Sequence, residues 1–239
     1  MSTLRKIAEV RFPTLWAPFR LLAFERRGEG GSRGHFETAL ALVLGDIHAS
    51  PPLVRIHSQC ATGDIFHSLR CDCHDQLHLA LRNIAEEGAG VLLYEYQEGR
   101  GIGLMEKLRA YELQDAGLDT IEANLHLGHE VDLRDYRLPV EILHFLNISS
   151  VRLMTNNPEK IRAIASSNIN IAERVSAEVL ISPHAARYFA TKRDKMGHIT
   201  GSGAAVPVSC GTDSEEMTSG PESTSCCADT EGLTLGLHS

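Results

Sequence analysis

The sequence predicts a mixed α/β fold, with a β-rich N-terminal part followed by α/β units in a single compact domain, and then a disordered tail. Two observations lead to this fold class. Short apolar or alternating runs, typical of strands, fill most of the chain before Cys60. Apolar residues at helical spacing first appear after Asp75, and from there helices and strands alternate.

Four strands are predicted in the N-terminal part, where they would form a β-rich barrel or sheet. Their ranges are 6–12, 19–25, 38–43 and 53–57. The glycine-rich stretch between Arg26 and Gly34 separates the second strand from the third, because clustered glycines favour turns.

The second part begins with a predicted helix over 75–87, which places Leu77, Leu81 and Ile84 on one face and ends at Gly88. A predicted helix that ends at residue 146 has Asp135 as its possible cap and Pro139 in its first turn. The other predicted elements are strands over 91–94, 151–154 and 169–175, a helix over 102–114 and a helix that begins at 158.

The net charge of −8 is unevenly distributed. Residues 201–239 contain six acidic residues and no lysine or arginine, and they are rich in glycine, serine and threonine. This composition predicts a disordered acidic tail, and it leaves residues 1–200 as the folded domain with a net charge of −2. A domain so close to neutrality argues against a nucleic-acid binder.

No apolar run approaches the length of a membrane span, and the N-terminal residues lack the hydrophobic region of a signal peptide. We therefore expect a cytoplasmic protein that does not associate with membranes. In that reducing setting, cysteines favour metal binding over disulfides.

Three cysteines, Cys60, Cys71 and Cys73, lie close together in the chain. Their thiolates could converge on one zinc ion. Structural zinc sites usually have four protein ligands, whereas catalytic sites usually have three and an open position. The pattern therefore indicates a metal that activates water. Three free cysteines with no metal are the alternative.

Two loops, each between a strand and a helix, have the composition of anion sites. The loop 97–103 contains three glycines and Arg100, and the segment 155–160 contains Thr155 and Lys160 near a helix start. Together they would suit a ligand with several phosphates, although each alone could be an ordinary helix start. A third stretch carries Asp132 and Arg134, which could be an acid/base group and a phosphate partner or a solvated turn.

In order along the chain, these segments resemble the GTP cyclohydrolase II family, the enzymes that open riboflavin biosynthesis. The resemblance runs from about Leu4 to His198. It rests on the cysteine motif, the loop 97–104, the segments 107–115 and 132–136, Thr155-Asn-Asn-Pro-x-Lys160 and Thr191-Lys-x-x-Lys-Met-Gly-His198.

The resemblance implies a role for each matching position. Cys60, Cys71 and Cys73 match zinc ligands. Asp132 matches the proposed general base, Arg134 the residue proposed to attack the α-phosphate, and Tyr111 a tyrosine needed for ring opening. The implied GTP contacts are Arg55, Ile56, His57, Ser58, Gln59, Gln76, Glu98, Gly99, Arg100, Thr120, Thr155 and Lys160.

The resemblance also implies the reaction and its partners. The imidazole ring of GTP would be hydrolysed to formate, pyrophosphate and 2,5-diamino-6-ribosylamino-4(3H)-pyrimidinone 5′-phosphate. Mg²⁺ would assist pyrophosphate release, and the protein would be a homodimer.

Four residues depart from the family's pattern: Gln59 stands in place of Glu, Ala61 of Leu, His74 of Gly and Tyr96 of Arg. Gln59 directly precedes a predicted zinc ligand. These departures leave open a paralogue whose end product is a formylated or ring-closed nucleotide. A non-catalytic GTP-binding regulator is a further alternative. A zinc deaminase is disfavoured, because its His-x-Glu and Pro-Cys-x-x-Cys signature is absent.

Overall fold

A computed structural model describes residues 4–28 and 36–180, together with positions 182, 185, 190–191, 194 and 196–199. The described part contains one seven-stranded sheet with the strand order β1-β2-β3-β5-β4-β6-β7. Its strands are β1 (Arg5–Pro13), β2 (Pro18–Arg27), β3 (Phe36–Leu44), β4 (Leu53–Ser58), β5 (Gly90–Glu95), β6 (Ser150–Met154) and β7 (Asn170–Val175).

The sheet changes from antiparallel to parallel pairing along this order. Strands β1, β2 and β3 pair antiparallel, as does β3 with β5, so that Leu40 faces Tyr94. Strands β5, β4, β6 and β7 then pair parallel, and Ile56 faces Leu93. Of the two predicted possibilities for the β-rich part, the structure therefore has the sheet.

Six helices accompany the sheet in the described residues. They are α1 (Ala61–Asp64), α2 (Cys73–Glu87), α3 (Leu104–Asp115), α4 (Thr120–His126), α5 (Arg137–Phe145) and α6 (Pro158–Ala165). The sequence did not predict α1, which has only four residues, or α4, where Asp119 and Glu122 form a capping box. The cap of α5 is Tyr136 rather than Asp135, whereas Pro158 does occupy the first turn of α6.

Hydrophobic side chains on both faces of the central strands form the core. On β5, Val91 and Leu93 pack in one cluster with α5 and α6, and Leu92 packs in another with α2. Central strands covered on both faces read as continuous apolar runs, which explains the run from Val91 to Tyr94. At the antiparallel edge, every residue of β1 is exposed.

The parallel strands β4, β5 and β6 end at the same edge of the sheet, after Ser58, Glu95 and Met154. In such sheets, ligands bind in the crevice outside the carboxyl ends of the strands. The predicted metal and phosphate segments directly follow these three ends, so the topology gathers them in one place.

The tail predicted over 201–239 lies outside the described residues. Among the described helices, none is both long and apolar enough to cross a membrane.

Candidate functional site

The three cysteines converge at the start of two helices. Cys60 caps the N-terminus of α1, Cys73 begins α2, and Cys71 lies on the connection between them. Their Sγ atoms all lie within 4.8 Å of one another, and those of Cys60 and Cys71 are 3.6 Å apart. Two sulfurs that bind one tetrahedral zinc at ~2.3 Å stand ~3.8 Å apart, so this sulfur cluster has the dimensions of a zinc site.

Gly63 lies directly against the sulfur cluster. A Cβ atom on this residue would lie 2.8 Å from Cys71 Sγ and 3.2 Å from Cys60 Sγ, which is too close for ordinary contacts. Any side chain here would push the sulfurs apart. The turn formed by α1 therefore depends on glycine at this position, a requirement that the sequence analysis missed.

Lys107, from α3, provides the cation nearest to the cluster. Its side chain is only 11% exposed, and its Nζ donates to Cys60 Sγ at 3.0 Å, to Thr62 Oγ1 at 2.9 Å and to Glu98 Oε1 at 2.7 Å. The other oxygen of Glu98 accepts from the backbone nitrogen of Ala61 at 2.6 Å. Lys107 and Glu98 thus connect the loop after β5 to the loop that carries the first cysteine.

The pKa values of the three thiols show how much negative charge the sulfur cluster can hold. Hydrogen bonds from Cys71 and Cys73, together with Lys107, hold the pKa of the Cys60 thiol far below its ordinary value. The neighbouring thiolate raises the pKa of Cys71 to about 11, and that of Cys73 is also raised. Without a metal ion the cluster favours one negative charge, on Cys60, held by hydrogen bonds from the other two thiols and by Lys107. Three thiolates together would need a metal ion.

Asp64 fixes the chain around Cys60. Its carboxylate accepts from the backbone nitrogen of Cys60 at 3.0 Å and from the Tyr94 hydroxyl at 2.8 Å, and it lies 3.1 Å from Nε2 of His57. His57, predicted to contact GTP, is buried and stacks on Tyr94. Through Asp64, His57 therefore helps to position the segment that carries Cys60.

A pocket opens beside the sulfur cluster. We call it the sulfur-side pocket. Tyr111 lines it under the guanidinium of Arg70, which lies 4.5 Å from the ring centre, and burial raises the pKa of this tyrosine to about 12. The predicted site residues on its wall are Ser58, Gln59, Cys60, Cys71, Cys73, Glu98, Gly99, Arg100, Tyr111, Thr120 and Arg134.

Arg100 occupies a strained part of the wall. The turn Glu98–Gly101 places this residue at φ 61°, in the left-handed region that side chains rarely adopt. Such strain is found at functional sites more often than elsewhere. Here Arg100 lines the sulfur-side pocket and also a second pocket, described next.

A second pocket lies on the other side of Ser58, Cys73, Arg100 and Arg134, which line both pockets. We call it the cationic pocket. The further predicted residues on its wall are Arg55, His57, Gln76, Thr155 and Lys160. His198 also lines it, whereas Lys192 and Lys195 of the same predicted motif lie outside the described residues.

The cations of this pocket are buried and close together. Lys160 is 4% exposed, and its Nζ donates to the carbonyl of Ile56 at 2.8 Å. Burial, and then the charges of Arg55 and Arg134, lower the pKa of Lys160 well below its ordinary value. Arg55 donates to Met154 O and Gln76 Oε1, but its Nε has no hydrogen-bond partner among the described residues. An anion bound here would relieve both the repulsion and the missing contact.

Asp132 and Arg134 form a two-point ion pair. The arginine donates through Nε at 2.9 Å and Nη2 at 2.5 Å to the two carboxylate oxygens. Burial alone would raise the pKa of Asp132, but the hydrogen bonds from Arg134 outweigh it and hold the pKa below its usual value. Asp132 is thus ionised at neutral pH and lies against the arginine that lines both pockets.

The structure brings together most of the predicted site, with two exceptions in detail. Ile56 is fully buried in the core and offers only its carbonyl oxygen, which Lys160 already uses. Glu98 is directed toward Lys107 and Ala61 rather than into open space. Asp64, Gly63 and Arg70 had no signal in the sequence, whereas Lys107 lies in a segment that the family resemblance already included.

Comparisons with known proteins identify the family to which the sequence is similar. The sequence profile of the GTP cyclohydrolase II family matches residues 5–176. The chain is 49% identical over 200 residues to GTP cyclohydrolase-2 of Klebsiella pneumoniae subsp. pneumoniae, a match that covers 83% of this chain and 97% of that protein. It is 51% identical over 197 residues to GTP cyclohydrolase-2 of Proteus mirabilis, covering 82% and 96%.

A more distant likeness is to the crystal structure of a two-domain 3,4-dihydroxy-2-butanone 4-phosphate synthase from A. baumannii. The match covers 74% of this chain and 41% of that chain, with 17% identity and a TM-score of 0.38, and it carries no argument about function. The profile match and the relatives, about half identical over nearly their whole length, show that the chain belongs to the GTP cyclohydrolase II family.

Proposed function

We propose that the protein is a zinc-dependent GTP cyclohydrolase II, which opens the imidazole ring of GTP and releases formate and pyrophosphate. The observation that carries this proposal is the adjacency of two unlike pockets. A cluster of three thiols lines one, buried cations line the other, and four residues line both. A purine nucleotide with several phosphates offers a ring for the first and anions for the second.

The sulfur cluster suits zinc by its chemistry, because thiolates are soft ligands and three of them leave a fourth position open. When bound there, zinc would act as a Lewis acid that makes water a nucleophile at neutral pH. The protein's own part is to keep the three sulfurs together through Gly63, Asp64 and Lys107. Tyr111, on the same pocket wall, would act on the guanine ring as it opens.

The cationic pocket would hold the triphosphate. Lys160 and Arg55 supply charge, and Thr155 supplies a hydroxyl. Arg134 would attack the α-phosphorus, so that a nitrogen–phosphorus bond forms as the bond to pyrophosphate breaks. Water would later hydrolyse the nitrogen–phosphorus bond, which releases the nucleoside monophosphate and restores Arg134. Asp132 would take the proton that the guanidinium loses, since it already accepts two hydrogen bonds from that group. Mg²⁺ would accompany the departing pyrophosphate and offset its charge.

The remaining parts of the proposal follow from the family. We infer a homodimer in the cytoplasm with GTP as its substrate.

We also infer that residues 1–200 form the catalytic domain and that 201–239 are a disordered tail, since few apolar residues there could join a core. A chain truncated after Thr200 should keep its melting temperature and its rate of formate release.

Product analysis tests the proposal. Purified protein is incubated with GTP and Mg²⁺, formate and pyrophosphate are assayed separately, and the nucleotide product is identified by mass. The proposal predicts that, once the reaction is complete, formate and pyrophosphate are present in equal amounts and the nucleotide is the open pyrimidine monophosphate. Binding of GTP without either product would indicate a regulator, and pyrophosphate with a formylated or ring-closed nucleotide would indicate a paralogue with another end product.

A further inference from the structure

The loop after β5 binds the segment that carries Arg134 on both sides of this arginine. The backbone nitrogen of Leu133, the residue before it, donates to the carbonyl oxygen of Arg100 at 3.0 Å. The backbone nitrogen of Asp135, the residue after it, donates to Oε1 of Gln97 at 2.8 Å. Two hydrogen bonds to one loop therefore enclose the residue that would attack the α-phosphorus.

Gln97 holds Asp135 with both ends of its amide. Its Nε2 donates to the carbonyl oxygen of Asp135 at 2.7 Å, while its Oε1 accepts from the nitrogen of the same residue. Nε2 also donates to Oε1 of Glu95 at 2.8 Å. Because a carbonyl oxygen can only accept, the nitrogen end of the amide must face Asp135 O, and the buried Glu95 favours the same orientation. Both amide hydrogens of Gln97 are thus used within the protein.

The loop and the segment also approach each other closely at Gly101. A Cβ atom on this glycine would lie 3.0 Å from Cβ of Leu133 and 3.2 Å from its carbonyl oxygen, and its φ of 94° is in the left-handed region. Any larger residue here would push the two segments apart. The loop therefore fixes the backbone on either side of Arg134, and the ion pair with Asp132 fixes the side chain.

We propose that Gln97 is the positioning residue for Arg134: its amide holds the adjoining backbone so that the guanidinium stays in place for the attack on the α-phosphorus. This inference rests on the proposed function. Gln97 also lines the sulfur-side pocket, but its amide hydrogens are already donated, which favours a role in holding Arg134 over a contact with the guanine ring. Misplacing a reacting group by ~1 Å can lower a rate ~100-fold, so the effect should appear in kcat.

Steady-state kinetics of Gln97→Met tests the proposal, with pyrophosphate release from GTP in the presence of Mg²⁺ as the signal. Methionine is unbranched like glutamine but has no amide, so the three hydrogen bonds of Gln97 are lost. We expect kcat to fall ~10- to 100-fold, with the KM for GTP within ~3-fold of that of the unmodified protein. Zinc content and thermal melting are measured on each variant, so that a misfolded chain is recognised.

Two further variants complete the kinetic test. Gln97→Glu keeps an acceptor for the nitrogen of Asp135 but loses the donor to its carbonyl oxygen, so its kcat should also fall, and it serves as the second test if Gln97→Met fails to fold. Asn147→Asp makes the same change from amide to carboxylate in an exposed turn and should leave kcat unchanged. An unchanged kcat in the Gln97 variants would overturn the proposal. A raised KM with an unchanged kcat would also overturn it, because Gln97 would then be a ligand contact.

Hydrogen exchange of the ligand-free protein tests the positioning without any turnover. The backbone hydrogen of Asp135 should exchange at least ~10-fold faster in Gln97→Met than in the unmodified protein, because its acceptor is gone. Equal exchange would overturn the proposal. If the unmodified protein released no pyrophosphate, the proposed function and the catalytic part of this inference would fail together. The exchange result would then decide by itself whether Gln97 holds the backbone beside Arg134.

Discussion

The sulfur cluster and the cationic pocket adjoin each other, yet they are completed in different ways. Around Cys60, Cys71 and Cys73, protein groups already supply the supporting contacts: Lys107 donates to a sulfur and Asp64 holds the loop. In the cationic pocket, Lys160 is buried near two other cations and one nitrogen of Arg55 has no partner among the described residues. The sulfur cluster suits a metal ion that stays bound, and the cationic pocket suits an anion that binds and dissociates.

This difference has an energetic meaning. A site that binds a resident metal gains by being assembled in advance, because its ligands then lose little freedom on binding. A site for an anion that binds and dissociates gains affinity when its cations repel one another in the free protein, because the bound anion removes that repulsion. The repulsion among Arg55, Arg134 and Lys160 lowers the stability of the free protein, and its removal should add to the free energy of anion binding.

The largest effect should come from the sulfur cluster itself. Cys71→Ser removes one of three ligands, and we expect the metal content to fall from one zinc per chain to nearly none, with loss of formate release. Metal analysis by mass spectrometry measures the first, and a formate assay the second. Cys210→Ser, which removes a thiol far along the chain in the tail, is the matched control and should retain its zinc. Full formate release from zinc-free Cys71→Ser would contradict a metal-dependent ring opening.

Lys160→Met should affect affinity and stability in opposite directions. The loss of one charged phosphate contact should weaken GTP binding by ~1.5–3 kcal/mol, about 10- to 100-fold, and leave guanosine binding nearly unchanged. Calorimetry with both ligands measures this difference. Arg162→Met, on the same helix with a 70% exposed side chain, is the control.

The stability of the same variant should depend on pH. Because the pKa of Lys160 is lower in the folded state than in the unfolded chain, the unmodified protein loses stability as pH falls through the folded-state pKa. Methionine has no charge to bury, so the ligand-free variant should melt at a higher temperature at neutral pH. This advantage should shrink as pH rises. Equal weakening toward GTP and guanosine, with a lower melting temperature, would make Lys160 a structural residue.

Lys107→Met should have an intermediate effect. Without this ammonium, the thiolates lose a hydrogen bond and their nearest cation, so we expect zinc affinity to fall ~10-fold. The rate at which a chelator removes zinc, and the energy of the sulfur-to-cobalt absorption band in Co²⁺-loaded protein, both report the change without any turnover. Arg109→Met, an exposed change on the same helix, controls for effects on α3. Identical spectra and release rates would show that Lys107 only packs against the cluster.

The smallest expected change concerns Gln59, on the wall of the sulfur-side pocket. An amide cannot act as a base, and it holds a neighbouring water less strongly than a carboxylate does. Gln59→Glu should therefore raise the rate of formate release relative to that of pyrophosphate by a few-fold. If the unmodified protein releases both products in step and the variant is no faster, Gln59 is a neutral replacement.

The sequence predicted the elements that carry a periodic pattern. The run from Val91 to Tyr94 and the stripe along α2 were recovered because burial imposes apolar residues at regular spacing. Helix α1 was not predicted because four residues are too few to show a helical period. Helix α4 was not predicted because its mostly polar residues give no clear apolar pattern. The strand order was also out of reach, because it depends on long-range pairing.

The sequence marked candidate site residues where residue types alone give a signal. Three close cysteines and two glycine- or proline-marked helix starts need no structure to be noticed. Contacts between distant segments cannot be read in that way: Lys107 reaches Cys60 across 47 residues, and Lys160 reaches the carbonyl of Ile56 across 104. The sequence therefore indicated which chemistry is present but could not indicate how its groups pair.

The strand order has a consequence for biosynthesis. Strand β4 lies between β5 and β6, and both of these follow it in the chain. All three cysteines leave the ribosome before either neighbour of β4 does, so the nascent chain presents three thiols before β4 has a strand to pair with. Zinc captured at that stage would close a short loop early, ahead of the slow long-range pairing. Refolding should then be faster when zinc is present from the start than when it is added after collapse, and equal rates would refute this order.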